Sequence, residues 1–205
     1  MRDSHLWLDP VPVEEAEKSV YSFPRTLSPE LLTIIAYAIP RLHIYGTKKA
    51  TISCKGYSPD SLIKNLVGVF GGSFSHDENN IYIEDRALCL FLFNLVGSRF
   101  DSRRSIPQFV FSLPEKEKKD FLISIISAAS AGDSEDVRMF LFSSKVLDGL
   151  LKLLSEFGVV PEKNLHSDEI YSLIFKREML NKIGFPEKYP ECDYNRLTSL
   201  AGYGS

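Results

Sequence analysis

A pattern of strand, capped helix and closing glycine occurs twice in this chain and constrains the fold more than any other feature. The clearer copy covers residues 137–158, where alternating apolar residues precede Ser143–Ser144 and apolar residues at helical spacing follow. The other copy covers residues 81–97, with Glu84–Asp85 in place of the two serines. Ser and Asp side chains cap helix N-termini, and glycine commonly ends a helix. The repetition therefore predicts two related halves.

The surrounding pattern extends both copies in the same order. For the first half we predict a helix at 28–38, strands at 41–45 and 50–54 around Gly46, a helix at 58–70, strands at 73–75 and 80–83, and a helix ending at 96. For the second half we predict a helix at 115–130, a strand at 137–142, a helix at 144–157, a strand at 170–177 and a short helix near Ile183. The predicted class is α+β, with two pseudo-symmetric αββαββα repeats. Only a loop fits between Ser130 and Val137, so the second repeat is shortened by about one strand.

The expected organisation has five parts. They are an N-terminal extension at 1–27, a first repeat at 28–97, a linker at 98–114, a second repeat at 115–190 and a C-terminal tail at 191–205. The linker is rich in Arg, Ser and Pro, which is typical of a connection between units. The sequence leaves open whether the N-terminal extension covers a sheet or forms an arm.

Composition limits the function classes. The formal net charge is −3, whereas nucleic-acid binders usually carry a basic excess, so any such binding needs a local patch. No apolar run suits a membrane span, and Met1–Pro12 does not resemble a secretory signal, so we expect a cytoplasmic, intracellular protein without membrane contact. Cys54, Cys89 and Cys192 lack a neighbouring Cys or His at zinc-ligand spacing, which predicts reduced and mostly buried thiols.

Residues 119–130 (KDFLISIISAAS), the following strand, the Ser-capped helix and the closing Ile183–Phe185 together resemble the second half of a LAGLIDADG homing endonuclease. The resemblance extends over residues 28–190. It implies two signature helices that pack at small residues, here Ser124 and Ala128, and two sheets that each form half of a DNA-binding saddle. It also implies an acidic residue at the end of each helix that holds a divalent metal.

The signature acids are replaced in both repeats. When the motif is placed on residues 122–130, its acidic positions become Ser127 and Ala129, and when it is placed on residues 32–40 they become Tyr37 and Ile39. Magnesium is held by oxygen ligands, usually carboxylates, which these side chains do not supply. We therefore expect no catalytic residue, no metal and no cofactor. The acids Asp133, Glu135 and Asp136 follow the second motif and are read either as substitutes or as a solvated loop.

One face of the predicted first hairpin is polar and basic, because side chains alternate across a strand. Together with the turn and the linker, it supplies the candidate nucleic-acid-binding residues: Arg41, His43, Tyr45, Lys48, Lys49, Thr51, Ser53, Lys55, Arg99, Arg103 and Arg104. Such a face suits contacts to phosphates with an aromatic for stacking. An ordinary solvated sheet surface has the same pattern.

Both faces of the predicted second sheet are substantially apolar. The candidate interface residues are Phe140, Phe142, Tyr171, Leu173 and Phe175. Contiguous apolar surface usually marks an interface, which suits a protein partner or a homodimer. The alternative is that the N-terminal segment or the C-terminal tail covers it.

Three hypotheses follow. The first is a nuclease-dead, LAGLIDADG-like protein that binds DNA or structured RNA in a regulatory or splicing-type role. The second is a protein-interaction or scaffold module that uses the apolar second sheet. The third is residual endonuclease activity that uses displaced acids.

Overall fold

Each of the two repeats forms one four-stranded antiparallel sheet with helices packed against it. The structure is a computed structural model that describes residues 12–54, 59–97, 101–131, 136–167 and 170–186. Within these ranges the helices are α1 (Val13–Ala16), α2 (Pro29–Arg41), α3 (Asp60–Phe70), α4 (Arg86–Val96), α5 (Glu115–Ala129), α6 (Ser144–Glu156) and α7 (Arg177–Asn181). The α+β class predicted from the sequence is confirmed.

The two sheets have the same topology. The first sheet contains β1 (Leu42–Tyr45), β2 (Lys49–Ser53), β3 (Ser75–His76) and β4 (Asn80–Ile83), in the order β1-β2-β4-β3. The second sheet contains β5 (Ser130–Ala131), β6 (Asp136–Leu141), β7 (Glu162–Ser167) and β8 (Ile170–Lys176), in the order β5-β6-β8-β7. The repeated sequence pattern therefore corresponds to two sheets with the same strand order.

The second repeat keeps its first strand, although in a very short form. Ser130 and Ala131 pair with Met139 and Arg138 of β6. The expected loss of about one strand is therefore corrected to a strand of two residues. A two-residue ladder is too short to produce an alternating pattern, which explains why the sequence did not predict it.

Helices α2 and α5 pack against each other at the centre of the molecule. Helix α2 starts at Ser28, whose hydroxyl accepts a hydrogen bond from the Leu31 amide, and at Pro29, which suits a first helical turn. It continues past the predicted end at residue 38, through Pro40 in its last turn. Ala38 and Ala128 are fully buried, and Ser124 is partly buried. Small side chains thus lie within the packed part of both helices.

The predicted linker is part of the packed core in its described section. Ile106, Val110 and Leu113 are buried, and a 3₁₀ helix spans Gln108–Ser112. Ile106 lies against Gly149 of α6, where a Cβ in place of the glycine hydrogen would come within 3.2 Å of the Ile106 side chain. The chain between the repeats therefore contributes apolar contacts as well as connecting them.

The described part of the N-terminal extension packs on the first repeat. The Tyr21 ring stacks on Phe74 at 5.0 Å between centroids, and the Phe23 ring lies 5.6 Å from Phe91. The Ser22 amide donates a 2.8 Å hydrogen bond to the carbonyl of Phe70. Residues 12–27 thus extend the core of the first repeat. No helix in the described ranges is long and apolar enough to cross a membrane.

Candidate nucleic-acid interface

The side of the first sheet that points away from the helices is polar. We call this side the first outer face; its members are His43, Tyr45, Lys49, Thr51, Ser53, Ser75, Asn80 and Tyr82. Their neighbours along the strands, such as Leu42, Ile52 and Ile81, are fully buried against the helices. The alternation therefore separates a core side from a hydrogen-bonding side.

The charges on and beside the first outer face nearly balance. Lys49 forms an ion pair of 2.9 Å with Glu84, which raises the pKa of Lys49 through the hydrogen bond and then the charge of that carboxylate. Asp77 accepts hydrogen bonds from the Tyr82 hydroxyl at 2.5 Å and from the amides of Asn79 and Asn80 at 2.7 Å. These hydrogen bonds lower the pKa of Asp77, and the bond from Tyr82 has the largest effect. The face is therefore less basic than the sequence predicts.

Two arginines of the predicted binding set are corrected to interior positions. Arg41 ends α2 with 7% of its surface exposed, and Arg104 in the linker is fully buried. Their guanidinium groups donate to backbone carbonyls, so neither is available on the surface as a phosphate contact. Lys48 and Arg103 are exposed, whereas Lys55 and Arg99 lie outside the described residues.

The two buried arginines lie at the C-terminal ends of the two central helices. Arg104 donates from Nη1 to the Ile39 carbonyl at 2.8 Å and from Nη2 to the Leu42 carbonyl, at the end of α2. Arg41 donates from Nε to the Ala128 carbonyl of α5 and from Nη1 to the Ser53 carbonyl at 3.3 Å. The last carbonyls of a helix lack intrahelical partners, and the helix dipole is negative there. A guanidinium group donates hydrogen bonds to these carbonyls, and its positive charge interacts favourably with the negative end of the helix dipole.

The residues at these helix ends do not fit a divalent cation. Ile39 is 2% exposed and Ala129 is partly buried, and neither side chain carries an oxygen ligand. Within the described ranges no group of three or more His, Cys, Asp or Glu side chains is arranged so that it could hold a metal ion. Buried guanidinium charges also oppose a second cation nearby. Asp136 is exposed at the start of β6, and Asp133 and Glu135 lie outside the described residues.

The predicted interface residues of the second sheet fall on opposite faces. Leu173 and Phe175 pair with Met139 and Val137, and all four are buried on the core side. Their assignment to an exposed interface is therefore corrected. Tyr171 is partly buried and continues the same side of β8.

Phe140 instead belongs to the side of the second sheet that points away from the helices. We call this side the second outer face; its members are Arg138, Phe140, Asn164, His166, Ser172 and Ile174. His166 Nε2 lies 2.8 Å from the Ser172 hydroxyl, and its ring centroid lies 5.9 Å from that of Phe140. Phe142 follows the strand and is 48% exposed. This face therefore mixes polar and aromatic groups.

Several members of the two outer faces were absent from the predicted set. Tyr82 follows the alternation of Asn80–Ile83, so the strand pattern contained a signal for it. Arg138, His166 and Ser172 depend on strand pairing, which the sequence did not specify. The register of the paired strands therefore largely determines which residues lie together on the outer faces.

Comparison with known proteins gives matches at the level of structure. No protein-family model and no curated protein matches the chain. I-DmoI E117A in complex with its target DNA and Mn superposes with a TM-score of 0.54 at 14% identity, covering 75% of this chain and 90% of that chain. I-DmoI in complex with DNA and Mn gives a TM-score of 0.54 at 11% identity, covering 78% and 97% of the two chains.

The chain has a LAGLIDADG-like fold. A further match, full-length DUF199/WhiA from Thermatoga maritima, covers 92% of this chain and 64% of that chain, with a TM-score of 0.55 and 13% identity. The segments on which the signature motif was placed, 32–40 and 122–130, fall on α2 and at the end of α5, which pack against each other. At these identities the likeness establishes the fold, and function depends on the residues described above.

Proposed function

We propose that this protein binds nucleic acid through the outer faces of its two sheets and does not cleave it. The observation that carries the proposal is made at the ends of α2 and α5, where the resemblance to the endonucleases implies a metal. Buried guanidinium groups and apolar side chains lie at these helix ends. This supports a scaffold that binds without cation ligands.

The binding half of the proposal is supported by the outer faces. They present hydroxyl, imidazole, amide and ammonium groups on two sheets that flank the central helices. Solved structures with this fold include complexes of I-DmoI with DNA. Most protein contacts to nucleic acid go to phosphate and sugar, for which such side chains are suitable.

The non-cleaving half is supported by the chemistry of phosphodiester hydrolysis. A bound divalent ion stabilises the developing charge and activates water, and it needs oxygen ligands at fixed positions. Ile39 and Ala129 supply none, and Arg41 and Arg104 already bond to the backbone there. Binding without cleavage suits a regulatory or splicing-type role.

Binding is tested by titrating labelled mixed-sequence duplexes and single strands at several salt concentrations. The expected log affinity falls linearly with log salt, with a slope of about −0.9 per phosphate contacted on duplex DNA and about −0.7 on single strands. Lys48→Glu with Lys49→Glu reduces the affinity and the slope. Lys64→Glu with Lys152→Glu makes the same charge change on α3 and α6 and leaves both values intact. Absence of binding to every nucleic acid at low salt rejects the proposal.

Cleavage is tested by incubating the protein with supercoiled plasmid in magnesium or manganese. We expect the plasmid to remain supercoiled. Nicking that copurifies with the wild-type protein and disappears in an Asp136→Asn variant would replace the non-cleaving proposal with the displaced-acid hypothesis.

A protein-interaction module is the second candidate function. A shallow depression lies beside the exposed Phe142 and is lined by Ile39, Pro40, Phe140 and Val146 among others. Apolar concave surface of this kind suits a partner side chain. Light scattering over a dilution series tests self-association, and a constant monomer mass rejects the homodimer version.

A further inference from the structure

Building on the nucleic-acid binding proposed above, we propose that the first outer face takes unpaired nucleotides whose bases stack on Tyr45 and Tyr82. The inference names a substrate class for that face. It depends on the exposure of the two rings, on their positions in the sheet and on the weak net charge around them.

Two exposed aromatic rings lie on the first outer face, and a third, Phe142, lies at the end of β6 in the second repeat. Tyr45 is 59% exposed and Tyr82 is 38% exposed. Other large aromatic side chains of the first repeat, such as Phe70, Phe74 and Phe91, are buried in its core. An open ring on a sheet surface is the element that unpaired bases stack on in single-strand-binding proteins.

The register places the two tyrosines on adjacent rows of the same face. Tyr82 shares a row with Thr51 and His43, and Tyr45 shares the next row with Lys49. Two strand spacings and two residues along a strand separate their Cα atoms by roughly 12 Å. The hydroxyl of Tyr82 is held by Asp77 at 2.5 Å, so this ring is positioned before a ligand arrives.

Charge favours an unpaired strand over a duplex on this face. Lys48 and Lys49 are the exposed cations beside Tyr45, and Asp77, Glu78 and Glu84 are the nearby exposed acids. A duplex carries about one phosphate charge per 1.7 Å of axis, which demands a basic surface. Stacking depends on ring faces and tolerates near-neutral surroundings. The two lysines suffice to contact the phosphates that flank stacked bases.

The test compares oligo(dT), oligo(rU) and a hairpin duplex by fluorescence anisotropy at one salt concentration. We expect a single strand to bind more tightly than the duplex, and the two single strands identify whether deoxyribose or ribose is preferred. Tyr45→Ala and Tyr82→Ala each weaken single-strand binding by roughly 5- to 150-fold, the range that one base stack supplies. Tyr45→Phe keeps the ring and therefore keeps the affinity.

A Tyr45→Trp variant in which Trp7→Phe removes the native tryptophan reports stacking directly, because a base on the indole ring quenches its fluorescence. Quenching by oligo(dT) or oligo(rU), and its absence with the duplex, is the expected result. Tighter binding of the duplex together with unchanged affinity in Tyr45→Ala overturns this inference and leaves the proposed function standing. Failure of the wild-type protein to bind either form rejects both.

Discussion

The guanidinium of Arg104 donates a 2.8 Å hydrogen bond to the carbonyl oxygen of Ile39, so the linker between the repeats holds the end of the first central helix. The main chain of Arg104 also reaches the second repeat, because its carbonyl accepts a 2.6 Å hydrogen bond from the hydroxyl of Ser143. Ser143 is the N-cap of α6. One linker residue thus bonds to both halves of the molecule.

Replacing Arg104 with methionine is expected to lower the free energy of unfolding by about 3 kcal/mol. The substitution keeps most of the side-chain volume, removes two charge-assisted hydrogen bonds and leaves the carbonyls of Ile39 and Leu42 buried without these donors. Urea unfolding followed by circular dichroism measures the loss. Arg25→Met is the control, since Arg25 is exposed in the described N-terminal segment, and it should change stability by less than about 0.5 kcal/mol. Equal effects of the two substitutions would contradict the assigned role of Arg104.

Ser143→Ala is expected to cost more than the removal of an ordinary helix cap. The Ser143 hydroxyl accepts from the Val146 amide and donates to the buried carbonyl of Arg104, so about 2 kcal/mol is lost. Ser28→Ala removes the cap of α2 together with an exposed hydrogen bond to Glu30, and should cost about 1 kcal/mol. The two variants are compared by urea unfolding at the same pH. An identical loss in both would show that the bond between Ser143 and the linker contributes nothing.

The helix and strand pattern was predictable because its signals are local. Asp85 and Ser143 cap helices at the predicted places, and Gly97 ends α4 with a φ of 77°. Propensity, capping and alternation are properties of a few neighbouring residues, so a single sequence contains them. The repeat of these signals was sufficient to predict the α+β class, and the resemblance of residues 119–130 and the segments that follow them predicted the LAGLIDADG-like fold.

The burial of Arg104 was not predictable from such signals. Arginine is rarely fully buried, and a run of Arg, Ser and Pro ordinarily indicates a solvated linker. The carbonyls that receive its hydrogen bonds belong to Ile39 and Leu42, more than sixty residues earlier in the chain. Only the tertiary structure brings a helix end and a linker side chain together.

The prediction of which residues lie on each face of the second sheet was wrong for a different reason. Strands β6 and β8 are apolar at both odd and even positions, so alternation does not specify which side meets the core. Pairing of Met139 with Leu173 fixes the inner side and leaves Phe140 opposite Ser172 on the outer side. A prediction of register would have been needed to separate Phe140 from Leu173.

Two helical glycines are expected to respond differently to alanine. Gly68 of α3 has open space where a Cβ would lie, so Gly68→Ala should raise stability by about 0.5–1 kcal/mol through reduced backbone entropy of the unfolded chain. At Gly149 a Cβ would lie 3.2 Å from three atoms of Ile106, so the same gain is offset by crowding against the linker. Thermal and urea unfolding of both variants measure the difference.

The crowding explanation has its own control. Ile106→Ala keeps the Cβ of residue 106 but removes Cγ1 and Cδ1, two of the three atoms that a Cβ at Gly149 would meet, at the expense of buried apolar contact. Gly149→Ala should therefore be more favourable when it is added to Ile106→Ala than when it is made in the wild type. If Gly149→Ala is equally stabilising with and without Ile106, the linker does not press on α6 at this point.

The two buried cysteines are expected to make stability fall at alkaline pH. Burial raises the pKa of the Cys54 and Cys89 thiols from an ordinary 9.0 to about 11. Between these values the unfolded chain releases protons that the folded protein retains, so unfolding becomes progressively easier. The free energy of unfolding keeps the full contribution of the two thiols below pH 9. As the pH rises through about 11, it falls by roughly 2 kcal/mol for each thiol.

This loss is separated from other alkaline effects by comparing slopes. The free energy of unfolding is measured in urea at intervals from pH 8 to pH 11 for the wild type and for Cys54→Ala with Cys89→Ala. Removal of the sulfur atoms lowers stability by an amount independent of pH. Tyrosines such as Tyr21, whose pKa is raised by burial and by the charge of Asp85, affect both proteins alike. A flatter decline in the double variant is therefore the signature of the thiols. Parallel curves would mean that Cys54 and Cys89 ionise in the folded protein as readily as in the unfolded chain. That result would contradict the burial of both side chains, of which only 4% and 2% are exposed.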